Sequence, residues 1–168
     1  MMDFNEPLQA LGEFHGRLRS HCDALLKLTD QVGASGGSVA AQAAAASLRR
    51  HFDRLAGCVH QDEEQDLFPA LLESMAGSDA VCIRQMIEAR VAEHREIEER
   101  WLRIREWLGA AGAAGPMPRE DVASFVRLYC AHLAQEDQEL LPMAERLLSE
   151  DALAQVADSM RRRHGAFG

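Results

Sequence analysis

Six residues of this chain have side chains and spacings suited to holding metal ions: His15, His60, Glu64, His94, His132 and Glu136. Two of the histidines head an H-x-x-x-E pattern, His60/Glu64 and His132/Glu136. A third, His94/Glu98, has the same spacing. Residues i and i+4 lie on one face of a helix, a turn apart. An imidazole there can hold one cation while the carboxylate reaches a second. Two such helices and two single histidines would give two nitrogens per metal and two shared carboxylates. Nitrogen and carboxylate donors inside a helical bundle suit iron or manganese, with zinc acceptable. The four cysteines, Cys22, Cys58, Cys82 and Cys130, form no C-x-x-C pair, which argues against a zinc ribbon or an iron–sulfur cluster.

The elements that must position these residues are helices. Hydrophobic residues make up 47% of the 168 and aromatics only 5%, a mix that favours helix over sheet. Helices are expected at about 7–32, 39–75, 79–108 and 119–148, with a short fifth near 151–162. Breaks are expected at Gly33–Gly37, at Ala76–Asp79 with Ser78 or Asp79 as N-cap, and along the Gly- and Pro-rich stretch 109–118. In the first helix Leu8, Leu11, His15, Leu18, Cys22, Leu25, Thr29 and Val32 follow a 3-4 spacing. The third carries Ile83, Ile87, Val91, His94, Ile97, Trp101, Ile104 and Leu108. The fourth carries Val122, Phe125, Tyr129, His132, Glu136, Leu140, Met143 and Leu147. The second changes phase from Leu48, Phe52, Leu55, Val59 to His60, Glu64, Leu67, Leu71. That slip predicts a kink or π-bulge just after Gly57, and Pro69 and Pro142 predict further kinks. Short connections favour an all-α, up-down-up-down four-helix bundle as a single domain over 1–168.

Each long helix thus places a histidine where a core leucine would stand. Counted from a common end, His60, His94 and His132 are level to within about 2 Å at 1.5 Å per residue, while His15 requires its helix to be offset. Buried, unpaired carboxylates cost several kcal/mol each, and a cation pair relieves that cost. The halves also look alike: His15 precedes His60-x-x-x-Glu64 and Leu67-Phe68-Pro69, and His94 precedes His132-x-x-x-Glu136 and Leu140-Leu141-Pro142.

The pattern H…HxxxE…H…HxxxE, with HQDEEQDLFPALL and HLAQEDQELLPMAERLL, resembles the hemerythrin-like (HHE cation-binding) domain over about residues 5–150. The resemblance implies a non-haem di-iron centre with an oxo or hydroxo bridge. His15, His60, His94 and His132 would be terminal ligands, with Glu64 and Glu136 as bridges. The reversible oxygen carriers of the family have a further histidine one turn from the helix-three ligand and a bridging aspartate one residue further along helix four. Here Arg90 and Glu98 flank His94, and the bridge is Glu136. The ligand set looks closer to bacterial proteins of iron-centre repair and of nitrosative or oxidative stress. The function expected is binding or sensing of O2, NO or peroxide. The alternatives are a di-iron enzyme consuming peroxide or NO, and a cation-storage or iron-handling module.

The remaining candidates have plainer readings. Glu63 competes with Glu64 for the bridge but is less well phased. Glu98 reads as a surface residue or a support for a ligand. His21 and His51 read as surface or structural, His164 as part of a solvated basic tail, and Cys22 as packing or a redox group. Tyr129, one turn before His132, reads as a core aromatic or as a hydrogen-bond donor to the centre. The net charge of -9 argues against nucleic-acid binding. No apolar run approaches the roughly 20 residues of a membrane span, and the first residues lack the pattern of a leader, so a cytoplasmic location is expected.

Overall fold

The computed structural model describes residues 5–35, 38–74, 80–109 and 119–165. These form helices α1 (Pro7–Ser35), α2 (Val39–Asp62), α3 (Phe68–Glu73), α4 (Ala80–Gly109), α5 (Arg119–Gln135), α6 (Leu141–Leu147) and α7 (Glu150–Gly165). Two π-helical turns, Glu63–Leu67 and Glu136–Leu140, join α2 to α3 and α5 to α6. Among the described residues there is no strand. The fold is an all-α bundle. Helix α1 packs on α2 and α5, and α4 packs on the same two, so four long rods surround one core. The expected Ala76–Asp79 break and most of the 109–118 linker lie outside the described residues. The expected turn at Gly33 begins later, since α1 runs through Ser35.

Local chemistry sets the helix starts. Ser38 caps α2, its hydroxyl accepting the Ala41 N–H at 3.2 Å. Leu148 is extended, which ends α6, and Ser149 then accepts the Ala152 N–H at 3.2 Å to open α7. Glu150 and Asp151 in the first turn of α7, and Arg162, Arg163 and His164 in its last, complement the helix dipole.

The predicted stripes of α1 and α4 are the buried ones, with Leu8 and Val91 only half-buried. The phase change on the second rod lies elsewhere than predicted. The buried positions run Leu48, Phe52, Ala56, Val59, Glu63, Leu67, Leu71. Successive steps of four drift about 40° round a regular α-helix. A wider turn removes that drift, and it sits at Glu63–Leu67 instead of at Gly57. The fourth rod repeats the device. Beyond Glu136–Leu140 the buried residues are Ala144 and Leu148 in place of Met143 and Leu147, and Leu147 is 38% exposed. Pro69 and Pro142 each stand two residues past the last residue of a π turn. A proline cannot donate to the preceding turn and crowds it, so a widened turn is the local geometry that accommodates one.

A cluster of aromatic rings fills the bundle beside the polar layer. Phe52 stacks on Trp101 with centroids 4.3 Å apart and meets Phe125 and Tyr129 at 5.7 Å. The Trp101 indole N–H donates to Asp53 at 2.7 Å, so its one polar atom is satisfied.

Candidate metal centre

Five of the six sequence candidates converge in the bundle interior: His15, His60, His94, His132 and Glu136. The sixth does not. Glu63, fully buried, is the carboxylate that the π turn after α2 delivers to the imidazoles, and Glu64 points outward, its side chain 21% exposed. The reason is phase. Glu63 lies four residues after Val59 and four before Leu67, on the stripe that the bundle buries, and the π turn keeps it there. The signal was present in the sequence. Glu63 and Glu136 each stand six residues ahead of a proline, Pro69 and Pro142, so aligning the halves on the prolines pairs them.

The two glutamates lie between two sets of imidazoles. Glu63 Oε1 is 3.2 Å from His15 Nε2, and its Oε2 is 3.2 Å from His94 Nε2. Glu136 Oε2 is 3.7 Å from His15 Nε2, and its Oε1 is 3.6 Å from His94 Nε2 and 3.0 Å from His132 Nε2. Each carboxylate therefore offers one oxygen to each side. Ligand atoms of His60, His94 and His132 lie within 4.8 Å of one another, as do those of Glu63, His94, His132 and Glu136. The expected two-and-two division of nitrogens is thus replaced by three imidazoles on one side and His15 on the other. His60 and His94 stack at 4.0 Å because both rings approach from adjacent rods, α2 and α4.

The outer edge of each ring is held by a carboxylate, which sequence reasoning had not foreseen for three of the four. His15 Nδ1 pairs with Asp137 at 2.7 Å, His94 Nδ1 with Glu64 at 2.7 Å, and His132 Nδ1 with Glu93 at 2.7 Å. His60 Nδ1 lies 3.5 Å from Glu98. Arginines hold the carboxylates in turn: Arg19 on Asp137, Arg90 on Glu93, and Arg95 on both Glu64 and Glu98. Such Arg–carboxylate–histidine relays fix each ring's tautomer with Nδ1 protonated and Nε2 turned inward, the arrangement found behind metal-binding histidines. Glu64 and Asp137 play equivalent parts in the two halves.

The electrostatics of the metal-free cluster follow from burial and these contacts. Burial pulls the His15 imidazole down, but its hydrogen bonds to Asp137 and Glu63 and the charges of Glu63 and Glu136 outweigh it and raise it to about 10. His94 rises to about 10 in the same way, against its burial, through Glu136 and Glu63. Burial pushes the Glu63 carboxyl up, but His15 and His94 hold it below the usual range. His60 is lowered, chiefly by burial, and stays a neutral imidazole. Burial and nearby carboxylates push the Tyr129 phenol well up, so it keeps its proton and donates to His60 Nε2 at 3.3 Å. Tyr129 is both core aromatic and hydrogen-bond donor.

The donor set fits cations. Glu63 Oε2, Glu136 Oε1 and Oε2, His94 Nε2 and His132 Nε2 are buried without completing a hydrogen bond. Buried polar atoms are almost always satisfied, and among the described residues every such orphan except Arg90 Nε faces the others across the same small space. Coordination would satisfy them together.

The other candidates sit outside. His164 is not a solvated end: it stacks on Phe14 at 4.4 Å and contacts buried Asp62 at 2.7 Å. His51 Nδ1 contacts the Ser47 carbonyl at 2.7 Å, and His21 lies 5.8 Å from it, ring to ring. Cys22 is buried with its thiol against Cys130. No described helix is long and apolar enough to cross a membrane.

The hemerythrin HHE cation-binding domain matches residues 6–144. An uncharacterized protein of Haemophilus influenzae is 25% identical over 164 residues, covering 95% of this chain and 91% of that protein. The bundle, the inward imidazoles and the length of the match agree: the chain belongs to the hemerythrin HHE cation-binding domain family.

Proposed function

We propose that the centre holds two iron ions and that the protein binds or senses a small oxidant or diatomic, O2, NO or peroxide, in a redox or stress response. The observation that carries this reading is the disposition of Glu63 and Glu136, each with one oxygen toward His15 and the other toward His94. Two carboxylates shared in this way make a site for a pair of cations, and a single ion would leave oxygens orphaned. His15, His60, His94 and His132 would hold the ions through their imidazoles, and Glu63 and Glu136 through carboxylates shared between them. Glu64, Asp137 and Glu93 are positioning residues acting through imidazoles. When bound, the metal pair supplies redox change and open positions for the small ligand.

The residues around the centre do the rest. The relays hold four rings in place before any cation arrives, so little ordering is needed on binding. Tyr129 holds the His60 Nε2 lone pair with its O–H until a cation takes that lone pair, and the aromatic cluster packs behind it. The donor chemistry also accepts manganese or zinc.

The test is metal analysis with an optical spectrum on protein purified without oxygen and then exposed to air. About two irons per chain, a visible band on exposure, and loss of both in His60→Ala and Glu136→Ala are the expected results. Folded, iron-free protein from iron-replete cells overturns the reading. A storage or enzymatic role would appear in the same samples as iron uptake without a ligand-dependent band, or as turnover above that of free iron.

A further inference from the structure

Two of the four cysteines meet across the bundle: Cys22 on α1 and Cys130 on α5 hold their thiols against one another. The pairing of the two rods places them there. Helices α1 and α5 run antiparallel. His15 meets Asp137 at 2.7 Å at one end of their contact, and Asp30 meets Arg119 at 2.6 Å at the other. From the first of these contacts Cys22 lies seven residues on along α1. Cys130 lies seven residues back from Asp137 along the other rod, and each step is about two helical turns. Two turns return a helix to the face on which it began, so the cysteines occupy facing positions between the two contacts.

The two sulfurs differ in access. Cys22 has no solvent exposure and belongs to the buried stripe of α1, whereas Cys130 is half-buried at the margin of the core. A reagent in water therefore reaches Cys130 first, and reaches Cys22 only through it. Arg19 lies beside both thiols and also holds Asp137, the carboxylate behind His15. Packing alone would be served by carbon at either position. Two thiols in contact add a chemistry that carbon lacks, since they can join by exchange of a sulfur–oxygen bond for a sulfur–sulfur bond. The other two cysteines stand on different rods, Cys58 buried on α2 and Cys82 exposed on α4.

We propose that Cys22 and Cys130 are a redox-active dithiol that closes to a disulfide when the protein meets a hydroperoxide. With hydrogen peroxide as oxidant the steps balance. The Cys130 sulfur gives its proton to solvent and attacks one peroxide oxygen. The O–O bond breaks, and the hydroxide released takes up a proton and leaves as water. The Cys22 sulfur then attacks the sulfenic acid on Cys130. The S–S bond forms, the S–O bond breaks, and the hydroxyl leaves with the Cys22 proton as a second water. Two thiols and one peroxide give one disulfide and two waters. A dithiol reductant reverses the change by exchange and is itself oxidised to a disulfide. The bond ties α1, which brings His15, to α5, which brings His132, about two turns from His15 along α1. No metal takes part in it, so the dithiol is independent of the reading of the centre.

The test is titration of the full chain as purified with hydrogen peroxide, in a chelating buffer that suppresses radical chemistry, followed by alkylation, trypsin digestion and mass spectrometry of the monomer. The expected result is a joined peptide pair, residues 20–27 with 128–146, that dithiothreitol separates, while Cys58 remains open to alkylation in the digest. In Cys22→Ser the Cys130 sulfur stops at the sulfenic acid and is trapped by dimedone. In Cys130→Ser the loss of the Cys22 thiol slows at least tenfold, because its route to the oxidant is gone. The proposal is overturned if no joined pair forms at a peroxide concentration that oxidises exposed Cys82, or if Cys22 reacts as fast in Cys130→Ser as in the wild type. The joined pair is read on the wild-type protein, so that arm decides the matter if either variant fails to fold.

Discussion

Glu63 and Glu64 are adjacent in sequence and do different work. Glu63→Gln removes an inward oxygen charge shared by both sides of the centre, so it should strip most bound metal. Glu64→Gln leaves the ligands in place but loosens His94, an effect typically worth 10–100-fold in metal affinity. Metal content after dialysis against a graded chelator separates the two, and equal losses would refute the division of roles. The protonation of the cluster makes a second prediction. His15 and His94 in the metal-free protein are raised from 6.5 to about 10, so the stability they add is complete below pH 6.5 and lost as pH climbs toward 10. Glu63 is held below its ordinary 4.5, so its contribution is present above that pH and lost as pH falls further. His60 is lowered and acts oppositely to His15, costing stability as pH falls below 6.5. Urea midpoints of the chelated protein should drop from pH 6.5 to pH 10, and the drop should shrink in His94→Leu. A flat profile would rule out the charged pair. Because cations must displace those protons, metal affinity should rise over the same interval.

At the scale of elements, α7 is fastened by one buried carboxylate. Asp62, on the last residue of α2, accepts from Arg163 and His164 and has no solvent exposure. Removing Asp62 breaks both of these contacts, at a cost of about 3 kcal/mol, although Arg163 keeps Asp66 at 2.7 Å. Asp62→Ala should lower the unfolding free energy by roughly that amount and expose α7 to proteolysis. A change below about 0.5 kcal/mol would mean that Val156, Ala157 and Met160 hold the helix alone. The π turns explain how the two histidine- and glutamate-bearing rods stay in register. Each inserts a wider turn at an inward glutamate, so Glu63 and Leu67, and Glu136 and Leu140, face inward together.

For the whole molecule, metal binding and folding are linked, since ligands from four separate helices meet only in the native state. Metal at a hundred times its dissociation constant adds about 2.7 kcal/mol. For a chain of this size that is about 5–10 °C in melting temperature. Scanning calorimetry with and without a chelator checks this. No shift on loading would show that the cation does not prefer the native fold to the unfolded chain. The aromatic cluster is the counterweight that lets the bundle form around a polar layer: Phe52→Ala should cost about 3–5 kcal/mol.

Residue type and helical period determined much of this protein in advance. The inward histidines follow from positions where a leucine was due, because apolar spacing fixes which face of a helix is buried. The family was legible for the same reason, as spacing of ligands along a rod is a one-dimensional property. Which of Glu63 and Glu64 turns inward was decided by the π turn, because a local change in helical pitch depends on how the rod packs against its neighbours. The outer carboxylates on each imidazole, and the place of His164 against Phe14 and Asp62, were also tertiary matters. They join residues as far apart as Phe14 and His164, and no periodicity along one chain segment encodes a contact between two rods.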